Sequence, residues 1–173
     1  MVRNMNYYQL KSIVSAGKKQ FALKEVSSSF FVAGERTQPY IEPTFEKVLY
    51  EAEKPTIILI SAVGATGKSA LAYQLSRDTN LPILDLGKHK PVGDNTLTGL
   101  MTHSFDMKDI SGVFEGLTSS SYGVIIDGVD EGRAKTTEEA FEAFLDDVAK
   151  LCKLSSGTTF VMLGRAESLE AVS

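Results

Sequence analysis

A glycine followed by lysine and serine, set between an apolar run and an amphipathic one, can handle phosphate. Ala62-Val-Gly-Ala-Thr-Gly-Lys-Ser69 has these residues in that order. Successive backbone N–H groups from Gly64 to Ser69 can turn inward as a nest for anionic oxygens. A helix beginning near Gly67 would add its unpaired N–H groups and the positive end of its dipole. Gly64 and Gly67 let the backbone approach phosphate closely. Lys68 would then reach the β- and γ-phosphates, and Ser69 would place its hydroxyl on Mg²⁺. The expected phosphate-binding loop therefore comprises Ala62, Val63, Gly64, Ala65, Thr66, Gly67, Lys68, Ser69 and Ala70. The pattern G-x-x-x-x-G-K-[ST] has glycine where this chain has Ala62, the smallest chiral residue.

Acids supply the complementary chemistry. Tyr122-Gly-Val-Ile-Ile-Asp-Gly-Val-Asp-Glu131 is an apolar run ending in carboxylates. Asp127, at the carboxyl end of a buried strand, would bond Ser69 and hold Mg²⁺ or its water shell. Gly128 would permit a tight turn that swings Asp130 and Glu131 back toward the γ-phosphate. Either could orient or deprotonate an attacking water. Thr158-Thr-Phe-Val-Met-Leu-Gly-Arg165 is a further apolar run, from which Arg165 would emerge to sense or stabilise phosphate charge.

These residues need elements to position them. Ile57–Ile60, Leu81–Leu86, Val124–Ile126 and Phe160–Leu163 read as strands, rich in branched residues without alternation, as in a parallel sheet buried on both faces. Helical spacing recurs at 69–76, 95–101, 109–117 and 137–154. The last has Phe141, Phe144, Leu145, Val148 and Leu151 on one stripe, with Thr136 and Glu139 as a capping box. Alternating strands and helices imply an α/β, three-layer αβα architecture with a mostly parallel sheet. Right-handed crossovers constrain the order, and the expected order is 1-4-3-2, with 160–163 between the strands that carry the loop and Asp127. Residues 1–55 form an expected extension: a short helix at 7–16, strands at 20–26 and 29–33, and a helix over 43–52. The core would then occupy 56–173.

Together these segments resemble the STAND class of P-loop NTPases, and within it the NACHT type. Asp127-Gly-Val-Asp-Glu131 is similar to that group's extended Walker B string, and Leu163-Gly-Arg165 to its sensor 1 arginine, with Leu-Gly in place of the usual Thr-Ser. The resemblance spans roughly 56–167. It implies a nucleotide-controlled switch that binds ATP and ADP with Mg²⁺, hydrolyses slowly, forms homo-oligomers and activates an attached effector. It also implies a lid and a sensor domain beyond the sensor 1 strand, which makes this chain a truncated core or a minimal member. Tyr40 or Ile41 would lie near the base. A small-molecule or nucleotide kinase and a non-catalytic nucleotide-binding scaffold are the competing readings. The kinase reading fits poorly with a phosphate loop that starts at residue 62.

Composition narrows the classes. A length of 173 residues suits one domain, and a net charge of −4 argues against general nucleic-acid binding. Lys88-His-Lys90 is a local basic cluster that reads as a solvated loop. The single cysteine, Cys152, excludes an internal disulfide and suits a reducing compartment. His89 and His103 are the only histidines, too few for a metal cluster. No apolar run approaches the ~20 residues needed to span a bilayer, and the first residues lack a signal-peptide core. The expected location is the cytoplasm.

Overall fold

Alternate side chains of every central strand go to opposite helical layers, and both sets are buried. In a computed structural model, which describes residues 2–3, 6–15, 47–49, 57–62, 67–89, 91, 96–119, 123–154 and 158–169, the elements run in chain order. They are β1 (Val2–Arg3), α1 (Tyr7–Ser15), β2 (Lys47–Leu49), β3 (Ile57–Ser61), α2 (Lys68–Thr79), β4 (Ile83–Asp85) and α3 (Thr96–Ser104). There follow α4 (Met107–Thr118), β5 (Gly123–Asp127), α5 (Val129–Lys135), α6 (Glu138–Leu154), β6 (Thr159–Gly164) and α7 (Ala166–Leu169).

The strand order is β1-β2-β3-β6-β5-β4. β3, β6, β5 and β4 are mutually parallel, in the expected 1-4-3-2 order. Ile58, Ile60, Ile125, Val161 and Leu163 turn to one face, against Leu71, Ala72 and Leu75 of α2 and Tyr7, Leu10 and Val14 of α1. Leu59, Val124, Ile126, Phe160 and Met162 turn to the other. There they meet Leu97 and Met101 of α3, Val113 and Leu117 of α4, and the expected α6 stripe of Phe141, Phe144, Val148 and Leu151. Period 2 in the strands and period 3.6 in the helices thus build one α/β/α stack. Each fully buried side chain contributes roughly 1.5–3 kcal/mol.

Two local expectations are corrected. The helix expected over 43–52 contains β2 instead. Val48 pairs with Ile60 and Leu49 with Leu59, antiparallel to β3. An unpaired edge on β3 would leave a row of backbone groups unsatisfied, and this long-range pairing outweighs a short helical pattern. After the turn at Gly128 the acids lie on a helix, α5. Asp130 and Glu131 occupy its first turn, Arg133 and Lys135 its last, in accord with the helix dipole. The cap of α6 is Thr137, whose hydroxyl accepts from the Ala140 N–H at 3.3 Å. Thr136 instead donates to the Pro91 carbonyl at 2.8 Å.

Before residue 56, α1 and the paired strands β1 and β2 are also part of the stack. α1 packs on α2, and its Tyr7 hydroxyl donates to Asp78 Oδ2 at 2.7 Å beside Lys11 at 3.5 Å. Burial alone would raise the Asp78 carboxyl, but the Tyr7 and Gln74 donors and the Lys11 charge bring it below its ordinary range. The strands expected at 20–26 and 29–33 lie outside the described residues. Among those described, no helix is long and apolar enough to cross a membrane.

Candidate functional site

Parallel strands place their carboxyl ends, and the loops that follow, on one edge of the sheet. Ala62, after β3, is tied to that edge by its N–H, which donates to the Gly164 carbonyl at 3.3 Å. Val63, Gly64, Ala65 and Thr66 lie outside the described residues. The chain re-enters at Gly67, which caps α2 at φ +86°. That left-handed dihedral costs an L-residue about 1–2 kcal/mol and glycine almost nothing. Lys68 turns back across the interval, its Nζ donating to the Ala62 carbonyl at 3.1 Å. Ser69 and Ala70 occupy the exposed first turn of α2.

The serine meets the acid. The Ser69 hydroxyl hydrogen-bonds Asp127, which ends β5 and is only 3 % exposed. Burial pushes the Asp127 carboxyl above its ordinary range. Ser69 and the Gly128 N–H oppose the shift, while the charges of Asp85 and Glu131 add to it. A carboxylate so placed, beside a hydroxyl and near other acids, is where a hard cation would be favoured.

Gly128, at φ +72°, starts α5 and decides where the two candidate acids go. Glu131 is exposed and folds back over the turn: a Cβ on Gly128 would stand 3.2 Å from Glu131 Oε2. Asp130 goes the other way. Its Oδ1 accepts from the Arg165 N–H at 3.2 Å, and its Oδ2 lies 3.3 Å from Arg165 Nε. The structure thus brings Ser69, Asp127 and Glu131 together, and separately joins Asp130 to Arg165. Tyr40 and Ile41 lie outside the described residues.

Two residues of this edge escape the sequence reading. Asp85 ends β4 in register with Asp127 on β5. Tyr73, one turn after Ser69 on α2, donates its hydroxyl to Asp85 Oδ2 at 3.3 Å. Burial first, and the Asp85 charge second, raise the phenol above its usual range, so it remains a donor at neutral pH. The main chain after β4 wraps Asp85: the Lys88 N–H donates to its Oδ1 at 3.2 Å, and Lys88 Nζ stands 3.8 Å from Oδ2. The signal was available, because Leu84-Asp85-Leu86 also ends an apolar strand in an acid.

The donors present suit Mg²⁺, which takes hard oxygen ligands in few numbers and draws the rest from water and phosphate. Among the described residues no group of three or more His, Cys, Asp or Glu side chains is arranged to hold a metal by itself. Cys152 is half-buried on α6, and burial pushes its thiol up to about 11, which makes it an inert packing residue. The chain matches no family model, and no curated protein or solved structure is significantly similar to it.

Proposed function

We propose that this chain is an ATP-binding, slowly hydrolysing, Mg²⁺-dependent P-loop NTPase module. In this reading it is a switch of the STAND class, NACHT-like, whose nucleotide state controls assembly with further copies of itself and with an effector or sensor domain. The observation that carries the reading is the hydrogen bond between Ser69 and the buried Asp127. It joins the end of the Gly-Lys-Ser motif to the acid of the Asp-Gly-x-Asp-Glu string, across a sheet in which β6 separates the two parent strands.

In this reading the N–H groups from Gly64 to Ser69 cradle the phosphates, and Lys68 leaves the Ala62 carbonyl to pair with the β- and γ-oxygens. Ser69 and Asp127 would hold Mg²⁺, which neutralises phosphate charge when bound. Glu131, exposed beside that pair, orients the attacking water and accepts its proton. Asp130 is a poorer candidate for the base, because both of its oxygens already face Arg165. An arginine supplied by a neighbouring copy is worth roughly 10³ to 10⁵ in rate, so turnover would be slow in dilute solution.

Titration with labelled ATP and ADP, with and without Mg²⁺, tests the proposal. The wild type should bind both at micromolar levels, and Lys68→Ala should lose the triphosphate. A wild type that binds neither, or a Lys68→Ala variant that binds as well as the wild type, would refute it.

A further inference from the structure

Arg165 sits between the two halves of the site. β6 lies between β3 and β5, so its carboxyl end falls between the entry to the phosphate loop and Asp127. Gly164 accepts from the Ala62 N–H, and the next residue, Arg165, donates its own N–H to Asp130. The Arg165 carbonyl starts α7 by accepting from the Ser168 and Leu169 N–H groups, both at 3.1 Å. The backbone of this residue is therefore held on both sides.

Its side chain is held by the same acid. Asp130 is 12 % exposed and Arg165 59 %, so the carboxylate is the fixed partner and the guanidinium the accessible one. The pairing engages Nε. Nη1 and Nη2 lie farther out along the planar fork, so one guanidinium can face two anions. Asp130 is also three residues from Asp127, on the first turn of a helix that starts at the Gly128 corner. A new anion beside Asp127 would compete with Asp130 for the same cation.

We propose that Asp130 is a positioning residue that latches Arg165, and that the γ-phosphate of a bound triphosphate competes with it for the guanidinium. The ion pair then sets the preference between triphosphate and diphosphate, and reports the terminal phosphate to β6 and α7. This rests on the nucleotide site proposed above.

A double-mutant cycle decides it, with affinities for ADP and for the β,γ-imido analogue of ATP measured by calorimetry in Mg²⁺. Asp130→Asn keeps an oxygen for the Arg165 N–H but removes the charge. It should tighten the triphosphate analogue about two- to fivefold, the worth of a partly exposed ion pair, and leave ADP unchanged. Arg165→Ala, which leaves α5 intact, should lower the preference for triphosphate. In the Arg165→Ala background, Asp130→Asn should change nothing. The same tightening in that background would mean plain charge repulsion and would overturn the latch, as would equal effects on both nucleotides. If Lys68→Ala binds like the wild type, or the wild type binds neither nucleotide, the site itself fails and the latch falls with it.

Discussion

Tyr73 donates its hydroxyl to Asp85 at 3.3 Å, one helical turn after the contact that Ser69 makes with Asp127. The two hydroxyls lie four residues apart on one face of α2, and the two acids face each other in register on β4 and β5. Helix period and strand register coincide here, and the start of α2 is clamped to the acidic edge at two points. Tyr73→Phe removes one clamp and leaves a partly buried carboxylate short of a donor. The expected loss is about 1–2 kcal/mol in urea unfolding, with ATP affinity within about threefold of wild type because the groups proposed to hold phosphate are untouched. A large fall in affinity with no loss of stability would contradict this division.

Asp127 should trade stability for binding. Its proton is held more tightly in the folded protein than in an unfolded chain, so at neutral pH its charge opposes folding. Asp127→Asn removes that cost. Its melting temperature should exceed that of the wild type at pH 7, by roughly 2–4 °C for each kcal/mol gained in a chain of this size. The gain should shrink as pH falls through the folded-state pKa and vanish where the acid is protonated in both states. Mg²⁺-dependent ATP binding should be lost. Thermal melts across pH check the first part, and a variant no more stable than wild type at pH 7 would sink it.

Glu131 is the expected base. Glu131→Gln should slow phosphate release about a hundredfold or more while ATP affinity stays within about threefold, because the residue is not among the groups proposed to hold the phosphates. Single-turnover assays separate the two effects. Undiminished hydrolysis would move the role elsewhere on this edge.

Gly128 cannot carry a side chain cheaply. Its φ of +72° disfavours any L-residue, and a Cβ would stand 2.9 Å from the Gly87 nitrogen. Gly128→Ala should cost about 2–4 kcal/mol, combining left-handed strain with overpacking against main chain. A loss below about 1 kcal/mol in denaturant unfolding would show that the corner can relax.

Tyr7 anchors α1. Tyr7→Phe should lower stability by about 1 kcal/mol near neutral pH, through the lost bond to the Asp78 carboxylate. Because Asp78 is held below its ordinary range, that stabilisation is present above the unfolded-state pKa. It fades as pH falls through the folded-state value. Wild type and variant should therefore converge in acid. A gap that persists after Asp78 is protonated would point to packing rather than the hydrogen bond.

The sequence by itself determined the features that depend on near neighbours along the chain. These are the Gly67-Lys68-Ser69 helix start, the buried runs of β3, β5 and β6, and the apolar stripe of α6. The strand order was legible too, because right-handed crossovers leave few ways to thread four parallel strands. Only the tertiary structure decided the rest. Val48 and Leu49 joined a sheet and not a helix because β3 had an edge to be paired. Asp85 became a neighbour of Asp127 through strand register, which no local pattern encodes. Asp130 and Glu131, adjacent and chemically alike, were separated by the Gly128 corner, which turned one toward Arg165 and folded the other back over the turn. Spacing along a chain ranks residues by type, whereas a hydrogen-bond partner 35 residues away is chosen by how layers pack.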